Sequence, residues 1–290
     1  MYRSFWKLKH QLLMGLTLFS MAFSLNSAAD YTIIDAHSHF DPEDQLLFDA
    51  NEIERILDEA KVAKVVITGF QNRSTEYLFN ALPDRVIPIL SLYQRESDKG
   101  SWSNRPEQVG AAFQQLTRAP YRGVGELHLF ADQRSAPAFT AAVESAKLHQ
   151  LPLIIHGDAE VIERAFEIYP EAKILWAHLS TNPDPGALSD MLNRFPEGLY
   201  IDTSVRDQML LGNEIVNGPR SDRLTEAWRR FFIEHQDRIM VAVDAHSTHR
   251  WGSYAQVVAS IQVWLSQLPE SVARKLAQDN ARRFFDLESR

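Results

Sequence analysis

From Tyr31 onward, short apolar runs alternate along the chain with longer stretches whose apolar positions recur at helical spacing. The runs are Thr32–Asp35, Lys64–Thr68, Val86–Leu90, Gly123–Leu127, Leu153–His156, Ile174–His178, Leu199–Asp202 and Ile239–Asp244. Most are rich in β-branched residues and apolar on consecutive positions, the pattern of strands buried on both faces of a parallel sheet. Pro88 is an awkward residue for the third run, because proline cannot donate to a strand ladder. Between the runs lie helical patterns, clearest at Asn51–Ala60, where Ile53, Ile56, Leu57 and Ala60 share one face. Others span Ser74–Leu82, Glu107–Thr117, Ala138–His149, Ala159–Tyr169, Gly186–Asn193, Thr225–His235 and Tyr254–Leu268.

Eight strand–helix units predict an α/β fold, a (β/α)8 TIM barrel. A final helix over Ser271–Phe285 is expected to pack on the barrel exterior. The competing open doubly wound sheet lacks its fingerprint: Gly123-Val124-Gly125 runs into Glu126 without a third glycine. The polar segments Gln94–Pro106 and Val205–Asp222 are long for strand-to-helix connections, and both belong on the C-terminal face, where they could act as lids.

The residues before Tyr31 do not share this rhythm. Arg3, Lys7, Lys9 and His10 precede an apolar run, Leu12–Leu25, and then Ser27-Ala28-Ala29. A basic head, a short apolar middle and a small-residue exit predict a cleaved signal peptide at 1–29, a barrel domain over 30–290, and export to the periplasm or beyond. As a membrane anchor the run is short against the about 20 residues a span needs, and Gly15, Ser20 and Ser24 interrupt it. No stable membrane anchoring is therefore expected. Loss of the leader removes three basic residues and no acidic one, moving the formal charge from −8 to −11. Such a chain repels phosphate backbones, so no nucleic-acid partner is expected and a small-molecule substrate is. The absence of cysteine excludes disulfides, thiolate metal sites and a cysteine nucleophile.

Histidine carries the chemistry instead. His149 and His235 end predicted helices and read as surface or C-capping residues. His37, His39, His128, His156, His178, His246 and His249 all fall at or just beyond the C-terminal ends of predicted strands, the rim where barrel enzymes assemble their sites. Alternate residues of a strand face the same way, so His37 and His39 enter the mouth together, as do Glu126 and His128. His156, His178 and Asp244 close three further strands. Alone, each reads as a satisfied polar residue; together on one rim they point to a bound divalent cation, with zinc the best match to convergent imidazoles. Glu126 follows a sterically open apolar approach, and its buried carboxylate calls for a positive partner, a cation or a salt bridge to a residue such as Arg122. His128, Asp158, Arg206, His246, His249, Arg250 and Trp251 follow strands and are candidate pocket-lining residues. Among these, His128, Arg206 and Arg250 are the candidate substrate contacts.

These motifs as a set resemble the amidohydrolase superfamily. Ile34-Asp35-Ala36-His37-Ser38-His39 is similar to its opening strand, Asn51–Ile67 to its first helix and second strand, and Asp279-Asn280-Ala281-Arg282-Arg283-Phe284-Phe285 to the closing helix of the amidohydrolase-related branch. That branch commonly carries Lys-x-His on strand 4, where this chain has Glu126-Leu127-His128, a glutamate similar to phosphotriesterase-like and TatD-like members. The resemblance implies a metal-dependent hydrolase acting on an ester, lactone, amide or phosphoester. With two ions, His37, His39 and Asp244 would hold one, His156 and His178 the other, and Glu126 would bridge. With one ion, His37, His39, His156 and Asp244 would bind it, leaving His178 and Glu126 to assist. In both, Asp244 is the candidate general base, and the cation or His178 polarises the electrophile. The same superfamily includes metal-dependent decarboxylases. A TatD-like nuclease and a non-enzymatic metal-binding protein remain as alternatives.

Overall fold

The computed structural model describes residues 30–212 and 221–287. The expected leader lies outside these residues, as does part of the 205–222 segment. Among the described residues, eight parallel strands follow one another in chain order: β1 Ile33–His39, β2 Val62–Thr68, β3 Val86–Pro88, β4 Val124–Leu129, β5 Leu153–Gly157, β6 Ile174–Trp176, β7 Leu199–Asp202 and β8 Ile239–Met240. Continuous ladders join β1–β2–β3 and β4 through β8. The two seams are spanned by individual hydrogen bonds. At one, Leu90 N–H donates to Gly123 O and Gly125 N–H to Leu90 O, both at 2.9 Å. At the other, Ala36 N–H donates to Val241 O (3.1 Å), Asp244 N–H to His37 O (2.7 Å) and His39 N–H to Ala245 O (3.3 Å). The architecture is therefore the expected (β/α)8 barrel, with β3 ending at Pro88.

Helices cover the outside. The helix Ala50–Glu59 begins at Asp49, whose side chain accepts from Glu52 N–H, and turns Ile53, Ile56 and Leu57 inward. The strand residues facing such helices, among them Ile33, Val65, Val124, Leu127, Ile155, Ile174 and Ile201, belong to one large apolar layer. The opposite faces, Ile34, Ala36, Val66, Ile87, Ile154, Leu175, Tyr200, Met240 and Ala242, fill the barrel interior. Among the described residues, no helix is long and apolar enough to cross a membrane.

The C-terminal helix departs from its expected place on the exterior. Residues 270–284 run on through a wider π-turn at Lys275–Asp279. Ala281, Phe284 and Phe285 then pack against the interior cluster, and the Phe284 ring meets Tyr200 edge-on at 5.0 Å. They form the floor of the barrel. The π-turn offers the Leu276 carbonyl to Val241 N–H (3.0 Å), and buried Asn280 donates to Ile239 O (2.7 Å). These bonds to the helix account for the shortness of β8, expected to reach Asp244. His235 is the C-cap of its helix, one of the two places expected for it, and is buried, its Nε2 2.9 Å from Ser189 Oγ.

Because Phe284 is a buried ring with apolar neighbours from the strands above it, Phe284→Ala should destabilise the fold by about 3 kcal/mol. Urea unfolding of the two proteins measures this; an unchanged midpoint would remove the floor from the fold's stability.

Candidate metal centre

Two strands reach the barrel mouth through a change of phase. Ile34 and Ala36 face the interior, so strict alternation would send His37 and His39 outward. Between the pairs Asp35↔Val65 and Ser38↔Ile67, however, β1 carries one residue more than β2. This bulge reverses the alternation. Ser38 turns away, its hydroxyl donating to Asp35 Oδ2 (2.6 Å), and both imidazoles point in. β4 does the same between Val124↔Leu153 and Leu127↔Ile155. Val124, Leu127 and Leu129 stay in the outer layer while Glu126 and His128 face the mouth. The step is taken at Gly125, with φ of +149° and a position where a Cβ would lie 2.4 Å from Ile154 O.

The Glu126 carboxylate is 3% exposed and sits at the centre of five imidazoles. Its Oε1 lies 3.0 Å from His156 Nδ1 and 3.0 Å from His178 Nε2. Its Oε2 lies 3.3 Å from His128 Nε2, 3.4 Å from His39 Nε2 and 3.6 Å from His37 Nε2. Asp244 Oδ1 is 3.4 Å from His39 Nε2. All six candidate ligands, His37, His39, Glu126, His156, His178 and Asp244, are thus brought together, and His128 joins them. Among the described residues, three overlapping groups have ligand atoms close enough to share an ion: His37–His39–Asp244, His37–Glu126–His178 and Glu126–His128–His156. Among the described residues, no arginine or lysine pairs with Glu126, Arg122 included; Arg122 lies near Asp286 instead. His37 Nε2 and Asp244 Oδ1 are buried without a hydrogen-bond partner among the described residues. Orphaned nitrogen and oxygen atoms aimed into a shared space are the donor set a divalent cation satisfies.

Electrostatics agree. Burial alone would lift the Glu126 carboxyl, but the surrounding imidazoles outweigh it and hold the group well below its ordinary range. Burial is likewise overridden at Asp244, kept low by His246 and the neighbouring histidines. Burial would lower His37, yet Glu126 and Asp202 raise it well above the usual imidazole value. Without a cation, protons on imidazole supply the missing positive charge; cation and protons compete for this site. His128 is different: burial dominates and lowers it to about 3, so it is neutral.

Asp202 and Ser204 shape the site and carry no local sequence motif. Asp202, the last residue of β7, is fully buried, and its Oδ2 accepts from His37 Nδ1 at 3.1 Å. Its Oδ1 accepts from the N–H of His178 (3.1 Å) and from Ser204, whose hydroxyl in turn accepts from His178 Nδ1 at 2.7 Å. One carboxylate thereby fixes both rings with Nε2 toward the mouth. Its only sequence signal is its place at a strand's C-terminal end. Asp35 accepts from Val243 N–H, His37 N–H, Ser38 and Tyr254, tying the β1 bulge to the chain just before Asp244.

His178 and Asp244 lie beyond their strands, with φ of 62° and 53°. Arg206 donates to His178 O (2.9 Å) and Ser180 O (3.1 Å), and Arg250 to Val243 O (2.8 Å). These guanidiniums, expected to contact substrate, brace the two ligand-bearing turns. Trp251 does not line the pocket: it is buried, donating from Nε1 to His39 O. Asp158 accepts from Ala131 N–H and Thr181, and His249 is exposed. The 94–106 segment is no free lid. Asp98 accepts from Gln94 N–H and Arg105, and buried Trp102 donates to His128 O.

Asp202→Asn places an amide donor against groups that already donate. It should weaken metal affinity about 10–100-fold, read by chelator competition, with the fold retained. Unchanged affinity would show that the two imidazoles need no such support.

An amidohydrolase family model matches residues 104–287, more than half of the chain. No curated protein matches it. Among solved structures, the phosphotriesterase homology protein of Escherichia coli with phosphate in its active site superposes with a TM-score of 0.60 at 12% identity, covering 88% of this chain and 99% of that one. Dihydroorotase of Saccharomyces cerevisiae gives 0.57 at 13% identity, covering 90% and 85%. A probable 2-pyrone-4,6-dicarboxylic acid hydrolase of Acinetobacter baumannii gives 0.53 at 12% identity, covering 88% and 100%. These three share the barrel fold with this chain. The family match, together with a histidine- and carboxylate-lined mouth suited to a cation, identifies the chain as an enzyme of the amidohydrolase family of metal-dependent hydrolases.

Proposed function

We propose that this protein is an exported hydrolase that holds two divalent ions, zinc by donor preference, and cleaves an ester, lactone, amide or phosphoester of a small molecule. The observation that supports this reading is the division of labour on Glu126: Oε1 faces His156 and His178, and Oε2 faces His37 and His39, with His128 also beside Oε2. His37, His39 and Asp244 would hold one ion and His156 and His178 the other, with Glu126 between them. His178 Nε2 lies against Glu126, which favours a ligand role over that of a separate electrophile. Bound divalent metal supplies Lewis acidity, lowering the pKa of water from 15.7 toward about 7 and polarising the scissile carbonyl or phosphoryl group.

The protein's own groups supply the proton path. His246 Nδ1 lies 3.3 Å from Asp244 Oδ2, which leaves the buried, partnerless Oδ1 facing His39 and the mouth. Kept ionised by the surrounding imidazoles, Asp244 takes the proton of the attacking water and delivers it to the leaving group. Asp202 and Ser204 hold His37 and His178 in one tautomer throughout. The leader-like residues 1–29 support export.

Metal analysis of the purified protein should return two ions per chain. A single ion would overturn the Glu126 bridge and favour the decarboxylase reading, which carbon dioxide release would then detect. Asp244→Asn should lower turnover at least about 100-fold with an unchanged unfolding midpoint; full activity would remove Asp244 as base. Intact mass of the exported protein should correspond to a chain beginning at Asp30, and a mass that includes residues 1–29 would refute cleavage.

A further inference from the structure

A second feature of the mouth concerns what the substrate carries. Two adjoining cavities open beside the candidate ligands. The inner, about 10 Å³ and no larger than a water molecule, reaches Glu126, His39 and Tyr93; the outer, about 310 Å³, opens past His39, His246 and Thr248 and is the one with room for a substrate. Lys99 and Phe70 line both. The Lys99 ammonium lies 5.5 Å from the centre of the Phe70 ring, within cation–π range. Among the described residues it makes no ion pair or hydrogen bond, although Asp41 is near enough to feel its charge. Asp41 Oδ1 is already committed to Phe70 N–H.

The segment that presents Lys99 is fixed. Asp98, its chain neighbour, is buried and bonded to Arg105, and Trp102, three residues on, is anchored to the His128 carbonyl on β4. A long, mobile side chain normally loses any charge it offers to solvent and entropy. Here the backbone is pinned and the ammonium rests on an aromatic face. The outer cavity carries four carboxyl groups, Asp41, Glu43, Asp44 and Glu96, against Lys99 and, on the side of the candidate ligands, His39 and His246. Arg206 and Arg250 donate to backbone carbonyls instead.

Resting on the hydrolytic reading of this site, we propose that Lys99 anchors a single carboxylate of the substrate next to the bond that is cleaved. One ammonium matches one negative charge. The acidic rim disfavours a second anionic group and admits a remainder that is neutral or cationic. The substrate class is therefore a small monoanionic acid, such as an acylated amino acid or a lactone or ester bearing one carboxylate. A dicarboxylate or a phosphate monoester does not fit.

The test is calorimetric binding to the metal-loaded protein, using N-acetylglycine, N-acetylalanine and N-acetylphenylalanine, each beside its uncharged primary amide, with phenyl phosphate as the dianionic control. At least one acid should bind about tenfold more tightly than its amide. Lys99→Gln should abolish that difference, and Lys99→Arg should restore part of it. Acids and amides binding alike, or acids binding alike to the wild type and Lys99→Gln, would overturn the assignment. A Lys99 dependence confined to phenyl phosphate would overturn the carboxylate class. Binding is read without turnover, so the two readings fail separately. A Lys99-dependent preference for the acid in a protein that hydrolyses nothing would retire the hydrolase reading alone. Hydrolysis without that preference would retire only the role of Lys99.

Discussion

An ionised carboxylate shut inside a barrel is costly unless positive charge comes to it, and the upper half of this molecule is organised around that requirement. Glu126 is almost fully buried, and its partners are imidazoles, which bring positive charge only by taking a proton or by sharing a cation. An arginine or lysine beside it would have made a closed ion pair with no chemistry left to do. Imidazoles instead leave the neutralising charge exchangeable between proton and cation, which is what a metal site in an enzyme needs.

Bringing those groups to one point takes local departures from regular structure. Bulges in β1 and β4 lie at the candidate-ligand positions and change the strand phase, so that an apolar interior below gives way to a polar mouth above. His178 and Asp244 are presented from turns with positive φ, conformations that ordinary residues adopt only when surroundings enforce them. Arg206 and Arg250 provide that enforcement by binding the turn carbonyls, and Asp35 ties the β1 bulge to the chain before Asp244. The polar residues around the candidate ligands are thus largely occupied in orienting them.

The two ends of the barrel divide stability from chemistry. Phe284 and Phe285 seal the floor against interior residues of several strands, so the site does not have to supply the core. At the mouth, the segment from Tyr93 to Arg105 is held down by Asp98 and Trp102, and the cleft beside the histidines has a shaped wall. Rigid walls suit catalysis, because groups already in position need no reordering when the substrate arrives.

The sequence by itself determined the eight-fold strand–helix rhythm and the rim on which the histidines and Asp244 fall, because burial on both faces of a strand leaves a continuous apolar run and barrel chemistry gathers where those runs end. It also determined that a cation was wanted, since so many imidazoles and carboxylates on one rim have few other uses. Tertiary structure decided which way each side chain faces. His37 and Glu126 point inward because of bulges, and a one-residue change of register is invisible in a pattern of period two. Asp202 and Ser204 were illegible for a related reason: His37, which Asp202 orients, is 165 residues away in the chain, and a lone polar residue at a strand end looks the same whether it orients a ligand or caps a loop. The place of the last helix was likewise settled only by packing, because an amphipathic stretch shows that it has a buried face and not which surface covers it.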